Sequence, residues 1–163
     1  MKVKPFDEKK AFNKAKERAL YLLEYRDHSK KELIDKVKRT NSEESAIQAV
    51  EYLEELGLVN DENFAKKYAH DLVYLKRLSG KRLEYELKKK GLDDFVIEEA
   101  ISEIDVDYVK TIIEIINRKY PRAVLDEKQK NRAVNACRRL GYKWDDIKAA
   151  INILAEGVDN ECL

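Results

Sequence analysis

The sequence predicts an all-α protein: an elongated, curved array of three tandem three-helix repeats, about nine helices in all. Three observations predict it. The first is composition: of 163 residues, 44% are apolar and 40% charged, while glycine and proline number only 5 and 2. That leaves enough apolar surface for a core and few residues that break helices. Lys and Arg, 33 together, nearly balance 32 Asp and Glu for a net charge of +1; disordered chains are poorer in apolar residues and usually carry a large net charge. The second is periodicity, since apolar residues recur three or four apart, as on a helix buried along one side. The third is a repeat with a fifty-residue period.

The repeat is read from aligned positions. Ser29, Ser79 and Gln129 fall in one register, as do Leu33, Leu83 and Ala133, then Val37, Leu87 and Cys137. Asn41, Gly91 and Gly141 follow, then Ile47, Ile97 and Ile147, then Val50, Ala100 and Ala150. The second and third copies also agree at Ile101 and Ile151 and at Ile104 and Leu154. The expected boundaries are an extension at 1–10, copies at 11–58, 59–105 and 106–155, and an acidic tail at 156–163.

Each copy reads as three helices. In the first, Phe12, Ala15, Ala19, Leu22 and Leu23 share one helical face. Ser29-Lys30-Lys31-Glu32 has capping-box spacing, in which the serine oxygen accepts from an early helix N–H and the glutamate reaches back. Leu33 and Val37 form the stripe of the second helix, Asn41-Ser42 ends it, and Ala46, Val50 and Leu53 face the core from a third that stops at Gly57. In the second copy Asp61 suits an N-cap, and Phe64, Tyr68, Leu72 and Leu75 form the first stripe. Ser79-Gly80 precedes Leu83 and Leu87. Gly91 can take the left-handed conformation that ends a helix, and Asp93 caps the helix carrying Val96, Ile97, Ala100, Ile101 and Ile104. The third copy opens with Val109, Ile112, Ile113 and Ile116, slightly out of register, and its first helix stops near Tyr120 because Pro121 follows. Ala133, Ala136, Cys137 and Leu140 come next, then Gly141, then Ile147, Ala150, Ile151 and Leu154. A lone three-helix copy is marginal in stability, so stacked copies that share their edges are expected.

Several classes of function are disfavoured. The longest apolar run is Ala19-Leu20-Tyr21-Leu22-Leu23, far short of the roughly 20 residues that span a bilayer. Met1-Lys2-Val3-Lys4-Pro5-Phe6-Asp7-Glu8 has no apolar h-region, so no signal peptide is expected. Two cysteines, Cys137 and Cys162, make no disulfide framework, and a reducing cytoplasm is expected. No GxGxxG, GxxxxGK[ST] or GxSxG motif is present, and the glycines at 57, 80, 91, 141 and 157 are too scattered to cradle phosphate. His28 and His70 lack metal-binding spacing. Asp93-Asp94 and Asp145-Asp146, at corresponding places before the third helices, have the chemistry of a divalent-metal site, but capping and dipole complementarity explain them. Cys137 falls at a core position and is expected to be a buried thiol; Cys162 is expected in the exposed tail. Tyr68, Tyr74, Tyr85 and Tyr142 suit base stacking, and also suit core and junction roles, which are favoured; Trp144 is a candidate contact residue.

The basic residues cluster in step with the repeat. One group is Lys30, Lys31, Lys36, Lys38 and Arg39; a second is Lys76, Arg77, Lys81, Arg82, Lys88, Lys89 and Lys90. The third is Arg118, Lys119, Arg122, Lys128, Lys130, Arg132, Arg138 and Arg139. All lie on or beside the second helix of a copy, while acids gather at Glu98, Glu99, Glu103, Asp105 and Asp107. Such segregation suits a polyanion, bound through counterion release. Solvated faces laced with intrahelical pairs are the plainer reading.

Four stretches resemble RecX proteins. Leu20-Tyr21-Leu22-Leu23-Glu24-Tyr25-Arg26-Asp27-His28-Ser29-Lys30-Lys31-Glu32-Leu33 resembles their opening, and Leu53-Glu54-Glu55-Leu56-Gly57-Leu58-Val59-Asn60-Asp61-Glu62-Asn63-Phe64-Ala65 the link between first and second repeats. Gly80-Lys81-Arg82-Leu83-Glu84-Tyr85-Glu86-Leu87-Lys88-Lys89-Lys90-Gly91-Leu92 resembles the second-repeat signature, and Arg138-Arg139-Leu140-Gly141-Tyr142 the third. The resemblance runs from about Ala11 to Leu154, departing at Asn60, His28, Asn41 and Gln129, all caps or turns. It implies a non-enzymatic negative regulator of the RecA recombinase that needs no cofactor or metal. Such a protein lies in the groove of RecA filaments on single-stranded DNA and limits extension, ATPase, strand exchange and coprotease activity. The expected partners are the RecA filament and, weakly, single- and double-stranded DNA, with no membrane and the chain monomeric. Contact is assigned to Arg26, Lys31, Arg77, Lys81, Arg82, Lys88, Lys89, Arg132, Arg138 and Arg139. A stand-alone DNA binder built from helix-turn-helix-like modules and a helical protein scaffold are the competing readings.

Overall fold

The computed structural model describes the backbone of residues 5–161 and the side chains of residues 7–157. Among the described residues the chain forms nine α-helices and no strand, as the sequence predicts. They are α1 (Pro5–Tyr25), α2 (Lys30–Val37), α3 (Glu43–Glu55), α4 (Asp61–Tyr74), α5 (Gly80–Lys89), α6 (Asp94–Ser102), α7 (Tyr108–Lys119), α8 (Glu127–Leu140) and α9 (Trp144–Glu161). The stretch read as an acidic tail is largely the end of α9, and Cys162 lies outside the described residues.

Local chemistry sets the helix starts. Ser29, Ser42, Asp107 and Asp126 are N-caps whose side chains accept early N–H groups of α2, α3, α7 and α8. Two expectations need correction. Asn60, not Asp61, caps α4: its Oδ1 accepts from Asn63 N–H at 2.9 Å. Asp61 is thereby free to accept the Lys30 N–H at the start of α2, at 2.7 Å. Asp145 and Asp146 lie inside the first turn of α9 rather than before it, where their charge complements the helix dipole.

The chain divides into two compact units: Met1–Tyr68 with Leu87–Ile101, and Ala69–Glu86 with Ser102–Leu163. In the first, α1, α2 and α3 close around Ala15, Ala19, Leu33, Val37, Ala46, Val50 and Leu53, with Phe12, Leu22 and Leu23 leaning against them. The alanines on α1 let its neighbours approach closely. In the second, α7, α8 and α9 close around Ile112, Ile116, Ala133, Cys137, Tyr142, Ile147 and Ala150. Each fully buried Leu or Ile contributes roughly 1.5–3 kcal/mol.

Burial follows the repeat with two departures. Ile97 with Ala100 and Ile147 with Ala150 are buried at matching positions. In the first copy Ile47 is only half-buried while Ala46, Ala49 and Val50 are buried, so α3 runs one residue out of step. The cause is the preceding turn: Gly91 and Gly141 are left-handed, whereas Asn41 lies in a bend and α3 starts from Ser42. Leu75, placed on the α4 stripe by its spacing, is 75% exposed, because the helix has already ended at Tyr74.

Candidate functional site

Two joints place the second helices that carry the basic clusters. In the first unit, Ser29 caps Glu32 N–H at 3.2 Å and donates its hydroxyl to the Lys90 carbonyl at 2.6 Å. The Lys31 stem covers Gly91, leaving no room there for a Cβ. In the second unit, Ser79 N–H donates to the Leu140 carbonyl at 2.9 Å. Gly141, at φ +99, presses so closely on Ser79 that a Cβ would strike its carbonyl. The same joint therefore occurs at Ser29–Gly91 and at Ser79–Gly141. A helix start meets a helix end in each, a favourable meeting of opposite dipole ends.

Each joint carries a polar lock. Glu32 does not complete the capping box; its carboxylate is taken by cations instead. Arg26 donates twice, at 2.7 and 3.2 Å, and Lys90 once at 3.0 Å. His28, 3% exposed, places Nδ1 at 3.2 Å. Burial pushes the Glu32 carboxyl up, but these neighbours outweigh it and hold it at about 2. At the other joint Tyr142, buried, donates its hydroxyl to the Arg77 carbonyl at 2.8 Å. Arg77 has φ +59, the only described non-glycine residue with positive φ.

The ten basic residues expected to make contact fall into distinct environments. Four are neutralised: Arg26 by Glu32 at 2.7 Å, Arg77 by Glu114 at 3.2 Å, Arg82 by Glu86 at 2.7 Å and Lys88 by Asp94 at 2.9 Å. Lys31 packs its stem on Gly91. Lys89 lies exposed on the last turn of α5. Lys81, Arg132, Arg138 and Arg139 are exposed and form no ion pair among the described residues. Three of these four share α8. There Lys128, Asn131, Arg132, Asn135, Arg138 and Arg139 are all exposed, and no acid stands among them. The only acid of α8, Glu127, lies 3.6 Å from Lys130. Sequence reasoning passed over Asn131 and Asn135. Their spacing of three and four from Lys128, Arg132, Arg138 and Arg139 is the signal that places them on the same face.

This face can bind a polyanion, since cations on successive turns suit a row of phosphates and asparagines add hydrogen bonds. The tyrosines are less available than the stacking reading requires. Tyr142 is buried, Tyr68 stacks on Phe64, and Tyr74 donates to the Asp105 carbonyl at 3.1 Å. Tyr85 and Trp144 are exposed. Burial pushes the Cys137 thiol up to about 11, so it stays protonated at neutral pH. No group of three or more His, Cys, Asp or Glu side chains that could hold a metal exists among the described residues. Nor is any described helix long and apolar enough to cross a membrane.

Comparison with known proteins gives this architecture its context. Residues 15–53 match the model of the first three-helix domain of RecX, and residues 60–101 that of the second. The regulatory protein RecX of Chlorobium phaeobacteroides is 36% identical over 132 residues, covering 80% of this chain and 83% of that protein. The chain belongs to the RecX family. The regulatory protein RecX of Clostridioides difficile is 28% identical over 155 residues, 93% of this chain and 73% of the relative. The crystal structure of RecX from Lactobacillus salivarius superposes with a TM-score of 0.76 at 26% identity, covering 89% of this chain and 97% of that one. The two matched RecX domains contain Arg26, Lys31, Arg77, Lys81, Arg82, Lys88 and Lys89; the α8 face lies beyond them.

Proposed function

We propose that this chain is a cytoplasmic, non-catalytic negative regulator of the RecA recombinase. It binds in the groove of RecA filaments on single-stranded DNA and restrains filament extension, ATPase, strand exchange and coprotease activity, and through them DNA repair and the SOS response. Membership of the RecX family carries this reading. The α8 face supports it as the surface that meets nucleic acid or an acidic filament wall, with Lys81 and Lys89 beside it in role. Arg26, Arg77, Arg82 and Lys88 already have carboxylate partners, so each contributes to docking only by exchanging one. Lys31 acts mainly through the charge at the end of its packed stem.

The test is RecA ATPase on single-stranded DNA with substoichiometric protein, alongside filament length. Inhibition is expected, and Arg132→Gln/Arg138→Gln/Arg139→Gln should weaken it without loss of helicity. Unchanged ATPase rate and filament length would overturn the regulatory reading. A second reading, a stand-alone DNA binder, is favoured only by the absence of acids from the exposed α8 face that carries Arg132, Arg138 and Arg139. Tight, sequence-selective binding to bare DNA without RecA would select it.

A further inference from the structure

In the second unit an open cleft of about 300 Å³ lies where the ends of α4, α7 and α8 converge. Lys76, Arg77, Arg118 and Lys119 line it against one carboxylate, Glu114. Lys76, Arg118 and Lys119 form no ion pair among the described residues. Arg118 and Lys119 suit the last turn of α7, whose carbonyls favour cations. That preference does not explain why Lys76 and Arg77 line the same cleft from the end of α4. Its apolar part is aliphatic: Leu75, 75% exposed, with Ile115 and Leu140.

Two details define the ligand. Arg77 is fixed by its left-handed backbone and by the Tyr142 hydroxyl on its carbonyl, and its guanidinium already holds a carboxylate, that of Glu114, at 3.2 Å. The cleft lining contains no aromatic ring on which a base would stack. We infer that this cleft binds an acidic peptide segment of a partner protein, carrying an aliphatic side chain between its carboxylates. The aliphatic group covers Leu75, Ile115 and Leu140. The carboxylates pair with Lys76, Arg118 and Lys119, and one displaces Glu114 from Arg77. The inference goes beyond the regulatory reading, because it shares only Arg77 with the contact residues named there, uses none of the basic α8 face and needs no nucleic acid.

A short fluorescent peptide of aspartates and glutamates with one central leucine, titrated into the intact chain, tests it. Saturable binding is expected, weakened about tenfold by Arg118→Gln/Lys119→Gln and about fivefold when the peptide leucine becomes serine. Glu114→Gln should tighten it by removing the resident carboxylate. The α8 triple variant used above should bind the peptide as the parent does, so failure here and failure of the regulatory reading are distinguishable. No saturable binding, equal affinity for the serine peptide, or indifference to Arg118→Gln/Lys119→Gln overturns the inference. So does displacement of the peptide by an oligothymidylate whose own binding depends on Arg118 and Lys119, which would assign the cleft to nucleic acid.

Discussion

Glu32 shows how one carboxylate can hold several segments in place. It draws Arg26, His28 and Lys90 to the start of α2. Its carboxyl is held at about 2 against an ordinary 4.5, so the unfolded chain binds the proton more readily. The stability this gives is full above about pH 4.5 and is lost as pH falls toward 2. Burial lowers the pKa of His28 below its ordinary 6.5. Its protonation therefore also favours the unfolded chain, starting below that pH. Glu32→Gln should cost about 1–3 kcal/mol at neutral pH and flatten the acid limb between pH 4.5 and 2 in urea titrations. A second contrast separates backbone strain from contact. Gly57 and Gly141 are both left-handed, but a Cβ at Gly57 meets nothing within 4 Å, while at Gly141 it meets the Ser79 carbonyl. Gly57→Ala should cost about 1–2 kcal/mol and Gly141→Ala more than about 3 kcal/mol, read from equilibrium denaturation. Equal costs would mean that the Ser79–Gly141 joint contributes nothing. Cys137, buried and with its thiol raised to about 11, should resist thiol reagents in a Cys162→Ser background until the chain unfolds.

At the scale of the helix, charge is distributed less evenly than composition suggests. The three second helices look alike as lists of lysines and arginines. The structure separates them by where the acids lie: Glu86 reaches Arg82 and Asp94 reaches Lys88, whereas α8 keeps its acid at one end. Neutralising Arg132, Arg138 and Arg139 should therefore lower affinity for single-stranded DNA and reduce the salt slope of binding by about 2. Removing Arg82 and Lys88 should change that slope less. The helices were legible because periodicity and caps act locally: Leu33, Val37 and Ser29 announce α2 whatever surrounds it. The environment of several cations was not, because an ion pair such as Lys88 with Asp94, between α5 and α6, or Arg77 with Glu114, between the α4–α5 connection and α7, joins separate segments and leaves no helical i,i+4 signal. The slip of α3 was hidden for a related reason. Ile47 matches Ile97 by count, but the turn geometry at Asn41 decides which residue faces inward.

For the whole molecule, the fifty-residue period announced the copies without revealing how each is joined to the next. Ser29 with Gly91 and Ser79 with Gly141 are that joint, visible in the sequence only as conveniently spaced small residues. A 19.1 kDa particle in equilibrium sedimentation is expected for the free chain, and a mass that rises with concentration would contradict it. The reason lies at the two positions where the joint has no counterpart. Asn41 stands in the register of Gly91 and Gly141 and turns its own amide onto the Val37 carbonyl at 3.1 Å; Gln129 stands in the register of Ser29 and Ser79, and Asp126 rather than a serine caps α8. With asparagine and glutamine there, a second chain finds neither the glycine nor the serine from which this close contact is built.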